Sequence, residues 1–227
     1  REYVAQLFEY DKKFLIIGNM NAITYKEIFP KIMMNRMWLG NGFSGGNAYF
    51  KIAKSEEREF ASGVYDKKTG LVKFRNVVWF ANLDHGKRHQ KLQLMTMAEN
   101  RKFSKKVIDS DVCYKKYDNY DAIEVSFTDA IPSDYAGVMG VPISFLDKYN
   151  PDQFEIVAFR KGDDGKDLVV SVERERELSS SRTSEYSFEE LRHPAANGER
   201  AYVDGQKKYA RILIRHLYTG TNKKCGR

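Results

Sequence analysis

The stretch GVPISFLDKYNPDQFEIVAFRKG (140–162) constrains the fold most tightly, because a proline-led amphipathic segment, an Asn-Pro break and an apolar run follow one another without slack. Pro142 suits the first turn of a helix, where its missing N–H would be unpaired in any case, and Phe145, Leu146 and Tyr149 then share one side. Asn150 precedes Pro151, and a residue before proline is pushed out of the α region, so the helix is expected to stop near Tyr149. Residues 154–159 then read as a short buried strand ending in the charged group Arg160, Lys161, Asp163 and Asp164. The pattern predicts a helix followed by a strand.

Upstream, Val4, Leu7 and Phe8 fall on one face of a helix expected over 1–12, and the apolar run 14–17 predicts a strand with both faces covered. Thr24 and Glu27 have capping-box spacing, in which a hydroxyl and a carboxylate reciprocally satisfy the free amides of a helix start. Ile28, Phe29, Ile32 and Met33 supply that helix's apolar face, and Pro30 limits or kinks it. Helix, buried strand, loop and helix in that order point to a doubly wound α/β sheet. After Trp38 the pattern turns to β, with strands expected at 59–65 and 71–83 joined by a hairpin turn at 66–70 that closes on Gly70. The glycine-rich loop 41–47 lacks the strand before it and the helix after it that a cofactor-binding loop requires. A second region is expected from about Asp109, where YDNYDAIEV (117–125) leads into a strand and IPSDYAG (131–137) forms a turn-rich connection. Further on, 169–172 reads as a hairpin partner for 154–159, 187–190 as a helix start, and 208–217 as a last strand with Arg211 and Arg215 on one face.

With 227 residues, 42% hydrophobic and 13% aromatic, the chain can bury one large or two small cores, which excludes a disordered class. No signal peptide is expected and no apolar run comes near the roughly 18 residues a membrane span needs, so a cytoplasmic protein is expected. Cys113 and Cys225 form neither a metal-ligand spacing nor a disulfide framework. The net charge of +7 is unevenly placed. Residues 207–227 hold seven Lys and Arg and no acid, and 84–106 hold seven against two acids. Localised positive charge attracts a phosphate backbone by releasing condensed counterions, which makes binding salt-dependent. His85 and His89 lie four apart, a metal spacing only on a helix, and the intervening Gly86 favours a loop. Lys87, Arg88, His89 and Lys91 are therefore candidate phosphate contacts, and no metal is expected.

Four further blocks join 140–162 in a fixed order: IIGNMNAITYKEIFP (16–30), WFANLDHGKRH (79–89), YDNYDAIEV (117–125) and TDAIPSDYAGVMGVP (128–142). Together they resemble the adenine-specific DNA methyltransferases of the EcoRI modification-methylase type, from about Arg1 to about Leu168. The resemblance implies a site-specific, S-adenosylmethionine-dependent enzyme acting on double-stranded DNA, with a cognate restriction endonuclease as a further partner. Such enzymes carry a glycine-rich cofactor turn and an Asn/Asp-Pro-Pro-aromatic tetrad. No Asn-Pro-Pro or Asp-Pro-Pro occurs in this sequence. In relatives the tetrad lies a few residues before a segment like REYVAQLFEYDKKFLIIGN (1–19), and this chain begins with Arg1 rather than Met. A fragment downstream of the tetrad is therefore expected, with no catalytic residue of its own and inactive alone.

The implied fold is mixed α/β: 1–108 as the second half of a Rossmann-like methyltransferase sheet ending in an antiparallel hairpin, and 109–227 as a β-rich target-recognition region. Base-binding candidates are Asn19 and Asn21, at the carboxyl end of the first strand, where open α/β sheets bind ligands. Trp79 and Phe80 join them as residues that stack on an extruded base or fill core, and at least one must point inward because neighbours on a strand face opposite sides. The resemblance adds Asn119, Asp134, Tyr135, Arg160 and Lys161 as DNA-binding candidates, and the basic face of the expected last strand adds Arg211 and Arg215. Two other readings stay open: a DNA-binding specificity module working beside a separate catalytic partner, and an α/β protein unrelated to nucleic acid.

Overall fold

A computed structural model describes residues 2–25, 27–40, 46–53, 59–118, 120–160, 202–208 and 210–217, apart from the side chains of Arg160 and Lys207. The chain divides into two compact units, Arg1–Lys87 and Arg88–Arg227. Both are mixed α/β, with sheets that are mostly antiparallel.

In the first unit, helix α1 (Glu2–Glu9) buries Val4 and leads to strand β1 (Leu15–Asn19). Phe8 meets Phe14 edge to face at 5.5 Å, and the Lys31 and Arg36 cations lie over the Phe8 ring, 5.5 and 5.3 Å from its centre. A 3-10 turn (Met20–Thr24), helix α2 (Phe29–Met33) and strand β2 (Trp38–Leu39) follow. The expected capping box at Thr24 does not form. Its hydroxyl donates to the Asn21 carbonyl at 2.8 Å, and α2 begins later, with Pro30 in its first turn. Proline there removes an amide that would have had no partner, so Pro30 starts the helix and does not kink it.

The expected strand 71–83 is two strands in two sheets. Strand β3 (Ala48–Lys51), β4 (Tyr65–Asp66) and β5 (Leu71–Phe74) make one antiparallel sheet in the order β3-β5-β4. Strand β6 (Val77–Ala81) lies in the other, in the order β1-β6-β2. Between them Asn76 takes a φ of 53°, a left-handed conformation that Asn tolerates, and this breaks the run. The 66–70 hairpin forms as expected, with Gly70 at a φ of 69°. Strand β1 differs from its expectation of two covered faces. Its only neighbour among the described residues is β6, and Leu15 and Ile17 remain 53% and 45% exposed.

The second unit carries helices α3 (Met97–Phe103) and α4 (Lys105–Ile108), then a sheet in the order β7-β8-β12-β9. Its strands are β7 (Ala122–Glu124), β8 (Val138–Pro142), β9 (Phe154–Arg160) and β12 (Arg211–His216), and β7 and β8 run parallel. Short strands β10 (Tyr202–Val203) and β11 (Gln206–Lys207) form a separate hairpin. Within 140–162 the element order is as expected, with two changes. Pro142 ends β8, and the following turn, Ile143–Lys148, is 3-10 and not α. Phe145, Leu146 and Tyr149 are buried, and Phe145 meets Phe154 edge to face at 5.3 Å. Strand β9 pairs with β12; the expected partner 169–172 and the helix start at 187–190 lie outside the described residues.

A capping box does occur at Thr96, where its hydroxyl accepts from the Glu99 amide and Glu99 accepts from the Thr96 amide at 2.8 Å. The Thr96 amide, then its hydroxyl, hold the Glu99 carboxyl below its ordinary value of 4.5. A lowered carboxylate contributes stability that is full above the unfolded value and lost as pH falls through the folded one. Thermal melts are therefore expected to drop on acidification below about pH 4.5, and Glu99→Gln is expected to flatten that drop.

Candidate nucleic-acid interface

The carboxyl end of β1 and the amino end of β6 share one edge, with Asn19 opposite Val77, and β2, paired with the other end of β6, runs toward that edge. The Asn19 side chain caps the 3-10 turn by accepting from the Asn21 amide at 2.9 Å and donates to the Arg75 carbonyl at 3.4 Å. Asn21 is exposed just beyond. Strand alternation puts Trp79, opposite Ile17, on the face that carries Asn19, Ile17 and Leu15. Phe80 is on the other face, 4% exposed. A Cβ on Gly18 would come within 2.9 Å of the Phe80 ring, so this glycine makes room for core packing. Two of the four base-binding candidates, Asn19 and Trp79, thus stand on one open face, and Phe80 fills core.

The described residues do not fit a cradle for S-adenosylmethionine. The turn after β1 is Met20–Thr24 without a glycine, and Gly18 is taken up by Phe80. Among the described residues no three His, Cys, Asp or Glu side chains gather as metal ligands.

In the second unit the cationic candidates separate into engaged and open groups. Arg88 is buried, and the 3-10 turn Gly86–His89 carries it. His89 Nδ1 lies 2.5 Å from Asp152 Oδ2, a pairing that ties this turn to the start of β9. Lys91 is exposed, as is Lys87 in the first unit. Tyr135 is half-buried, and burial followed by the Asp121 charge pushes its phenol up. Asp134 accepts from the Met97 amide at 2.8 Å, which assigns it to the start of α3. Asn119, Lys161 and the Arg160 side chain lie outside the described residues.

Arg211 and Arg215 hold internal carboxylates. Arg211 donates to Glu124 through Nε, at 3.1 and 3.0 Å, and through Nη2 at 2.8 Å. Glu124 is fully buried and also accepts from Ser126 at 3.0 Å and from the Tyr117 hydroxyl. Burial opposes the charge on Arg211, but the hydrogen bonds and charge of Glu124 outweigh it and leave the guanidinium pKa raised. Burial, then the Glu124 charge, push the Tyr117 phenol far up. Arg215 Nη2 donates to Glu155 at 2.7 Å. No local sequence signal pointed to Glu124, because its partner Arg211 is 87 residues away.

Further exposed cations of this unit lie on α3 and α4. Lys102 sits over the Phe103 ring at 5.0 Å, and Phe103 and Ile108 are 64% and 58% exposed. Arg101 lies against Tyr114 and Lys106 pairs with Asp129 at 2.7 Å. Sequence reasoning found this basic stretch but missed its helices. The signal was the Thr96-Met-Ala-Glu99 spacing, the same one that was applied at Thr24.

The comparisons name the family. Residues 1–217 match the family of the adenine-specific methyltransferase EcoRI, and the chain belongs to it. It is 45% identical over 172 residues to the type II methyltransferase M.EcoRI of Escherichia coli, covering 75% of this chain and 50% of that protein. It is 28% identical over 217 residues to M.MpnI of Mycoplasma pneumoniae, covering 95% of this chain and 60% of that protein, and M.MgeORF184P of Mycoplasma genitalium matches to the same extent. The chain spans about half the length of these relatives. No solved structure matches it. Among the described residues, no helix is long and apolar enough to cross a membrane.

Proposed function

We propose that this chain is the downstream portion of a site-specific DNA adenine-N6 methyltransferase, with S-adenosylmethionine as methyl donor held mainly by residues outside 1–227. The observation that carries the reading is the sheet order β1-β6-β2, in which one antiparallel strand separates two mutually parallel ones. That order fits the closing end of a Rossmann-like methyltransferase sheet. Leu15 and Ile17, exposed on a strand whose only neighbour among the described residues is β6, fit a surface that the remaining half of such a protein would cover. The target amino group is out of reach inside a duplex, so the adenine must be turned out and held. Trp79 offers the aromatic face, and Asn19 and Asn21 the polar groups beside it. The second unit reads the target sequence, with Lys91, Lys102 and Lys105 as phosphate contacts. Such an enzyme works in the cytoplasm, and a restriction endonuclease of the same specificity is its natural companion.

The reading is tested by titrating residues 1–227 into labelled duplex at several salt concentrations. With about four phosphates neutralised, affinity is expected to fall about 100-fold between 50 and 200 mM salt. No binding even at the lowest salt would contradict it.

A further inference from the structure

The β3-β5-β4 sheet carries a cationic face that the candidate contacts above leave out. Tyr49 lies opposite Lys73 and Lys51 opposite Leu71, so strand alternation places Tyr49, Lys51, Lys73 and Leu71 on one side. The other side is covered at Ala48 and Val72, 3% and 1% exposed, and leaves Phe74 at its end 45% exposed. On the outer side Tyr49 is 56% exposed, and the Lys73 ammonium sits 6.0 Å from its ring centre. Lys67 and Lys68 stand in the turn at the Lys51 end, and Arg75 follows β5 at the other end. The acid nearest to them in sequence, Asp66, is held in that turn by the Lys68 amide and the Thr69 hydroxyl, at 2.9 and 2.8 Å. No acid among the described residues pairs with Lys51, Lys67, Lys68, Lys73 or Arg75.

The position of this sheet in the chain gives the charge a use. It is an insertion between β2 and β6, so it leaves and re-enters the β1-β6-β2 sheet at the edge that bears Asn19. Its last residues are bonded to that edge: Met20 N donates to the Asn76 carbonyl at 2.7 Å, and Asn19 donates to the Arg75 carbonyl. The sheet therefore joins the chain beside Asn19, at the carboxyl end of β1.

We propose that the outer face of the β3-β5-β4 sheet, through Lys51 and Lys73 with Lys67 and Lys68 at its rim, binds the phosphate backbone of duplex DNA beside the base-holding edge. The inference rests on the methyltransferase reading and deepens it. Tyr49 holds the Lys73 ammonium in place by its ring face, which reduces the ordering cost of the contact.

The test measures duplex binding by residues 1–227 across a salt series, for the unaltered chain, for Lys51→Gln with Lys73→Gln, and for Lys12→Gln with Lys13→Gln. The last pair removes the same charge from exposed residues just before β1, at the opposite end of that strand from Asn19. Each lost phosphate contact lowers the slope of log affinity against log salt by about 0.9, so the first pair is expected to lower it by about 1.8. The second pair is expected to leave it unchanged. Equal slopes in the unaltered chain and the first pair, or equal falls in both pairs, would overturn the inference alone. Failure of the unaltered chain to bind duplex would overturn the methyltransferase reading beneath it.

Discussion

Truncating Arg211 to alanine is expected to cost about 3–5 kcal/mol of folding stability, because it strands Glu124 as a buried charge without its counter-ion. Glu124 is 0% exposed, and three of its hydrogen bonds come from the Arg211 guanidinium. Ser126 and Tyr117 would remain, but neither carries a charge. Denaturant unfolding measures the loss. An alternative role for Arg211 as an exposed phosphate contact leads to the opposite pattern, with unfolding unaltered and the salt slope of DNA binding reduced by about 1. Replacing both charged partners by apolar residues of similar volume is expected to recover much of the loss, since an ion pair replaced whole leaves nothing unpaired.

Gly140→Ala is the second large effect. A Cβ at this position would lie 2.0 Å from the Tyr117 hydroxyl oxygen and 2.7 Å from two ring carbons. Tyr117 is 4% exposed and bonded to Glu124, so it cannot swing aside without breaking the same buried network. Overpacking of this kind costs about 1–3 kcal/mol, occasionally more. The sign is informative, because alanine in an unobstructed strand would stabilise relative to glycine by roughly 0.5–1 kcal/mol. Combining Gly140→Ala with Tyr117→Leu is expected to cost less than the sum of the single changes, and a double-mutant cycle in denaturant reads that coupling. Strict additivity would mean that the two residues do not meet.

These two sites show where the sequence was legible and where it was not. The helix–strand order in 140–162 could be read because proline, the Asn-Pro step and the apolar run are local signals. Whether the Ile143–Lys148 turn is α or 3-10 depends on how Phe145 and Tyr149 pack, and no local signal carries that. The capping box marks the limit of motif reading. Thr96 and Glu99 form one and Thr24 and Glu27 do not, although the spacing is identical. Three residues after Glu27 comes Pro30, which itself supplies a helix start and shifts it along the chain. The run 71–83 looked continuous in hydropathy, and only the left-handed turn at Asn76 divides it between two sheets.

The candidate site follows the same division. Asn19 and Trp79 were legible as residues at a strand end and on a strand, and pairing with β6 is what puts them on one face. Phe80 has the same composition-level signal as Trp79 and falls on the opposite side. Positive charge was legible at Arg211 and Arg215, but their carboxylate partners are 87 and 60 residues distant in sequence. Charge in a sequence marks what a residue can bind, whereas the fold decides whether another residue of the same chain has already bound it. Lys51 and Lys73 illustrate the converse: two isolated lysines in separate strands become neighbours on one face through β3-β5 pairing.

Residues 1–227 are proposed above to belong to a DNA adenine methyltransferase whose cofactor site lies mainly outside them. The most direct measurement is transfer of labelled methyl from S-adenosylmethionine to duplex DNA, by residues 1–227 alone and by the chain extended upstream with its own coding sequence. The expected result is N6-methyladenine at a defined site with the extended chain and none with 1–227. Transfer by 1–227 alone, or an extended chain that binds duplex without methylating it, would contradict the claim.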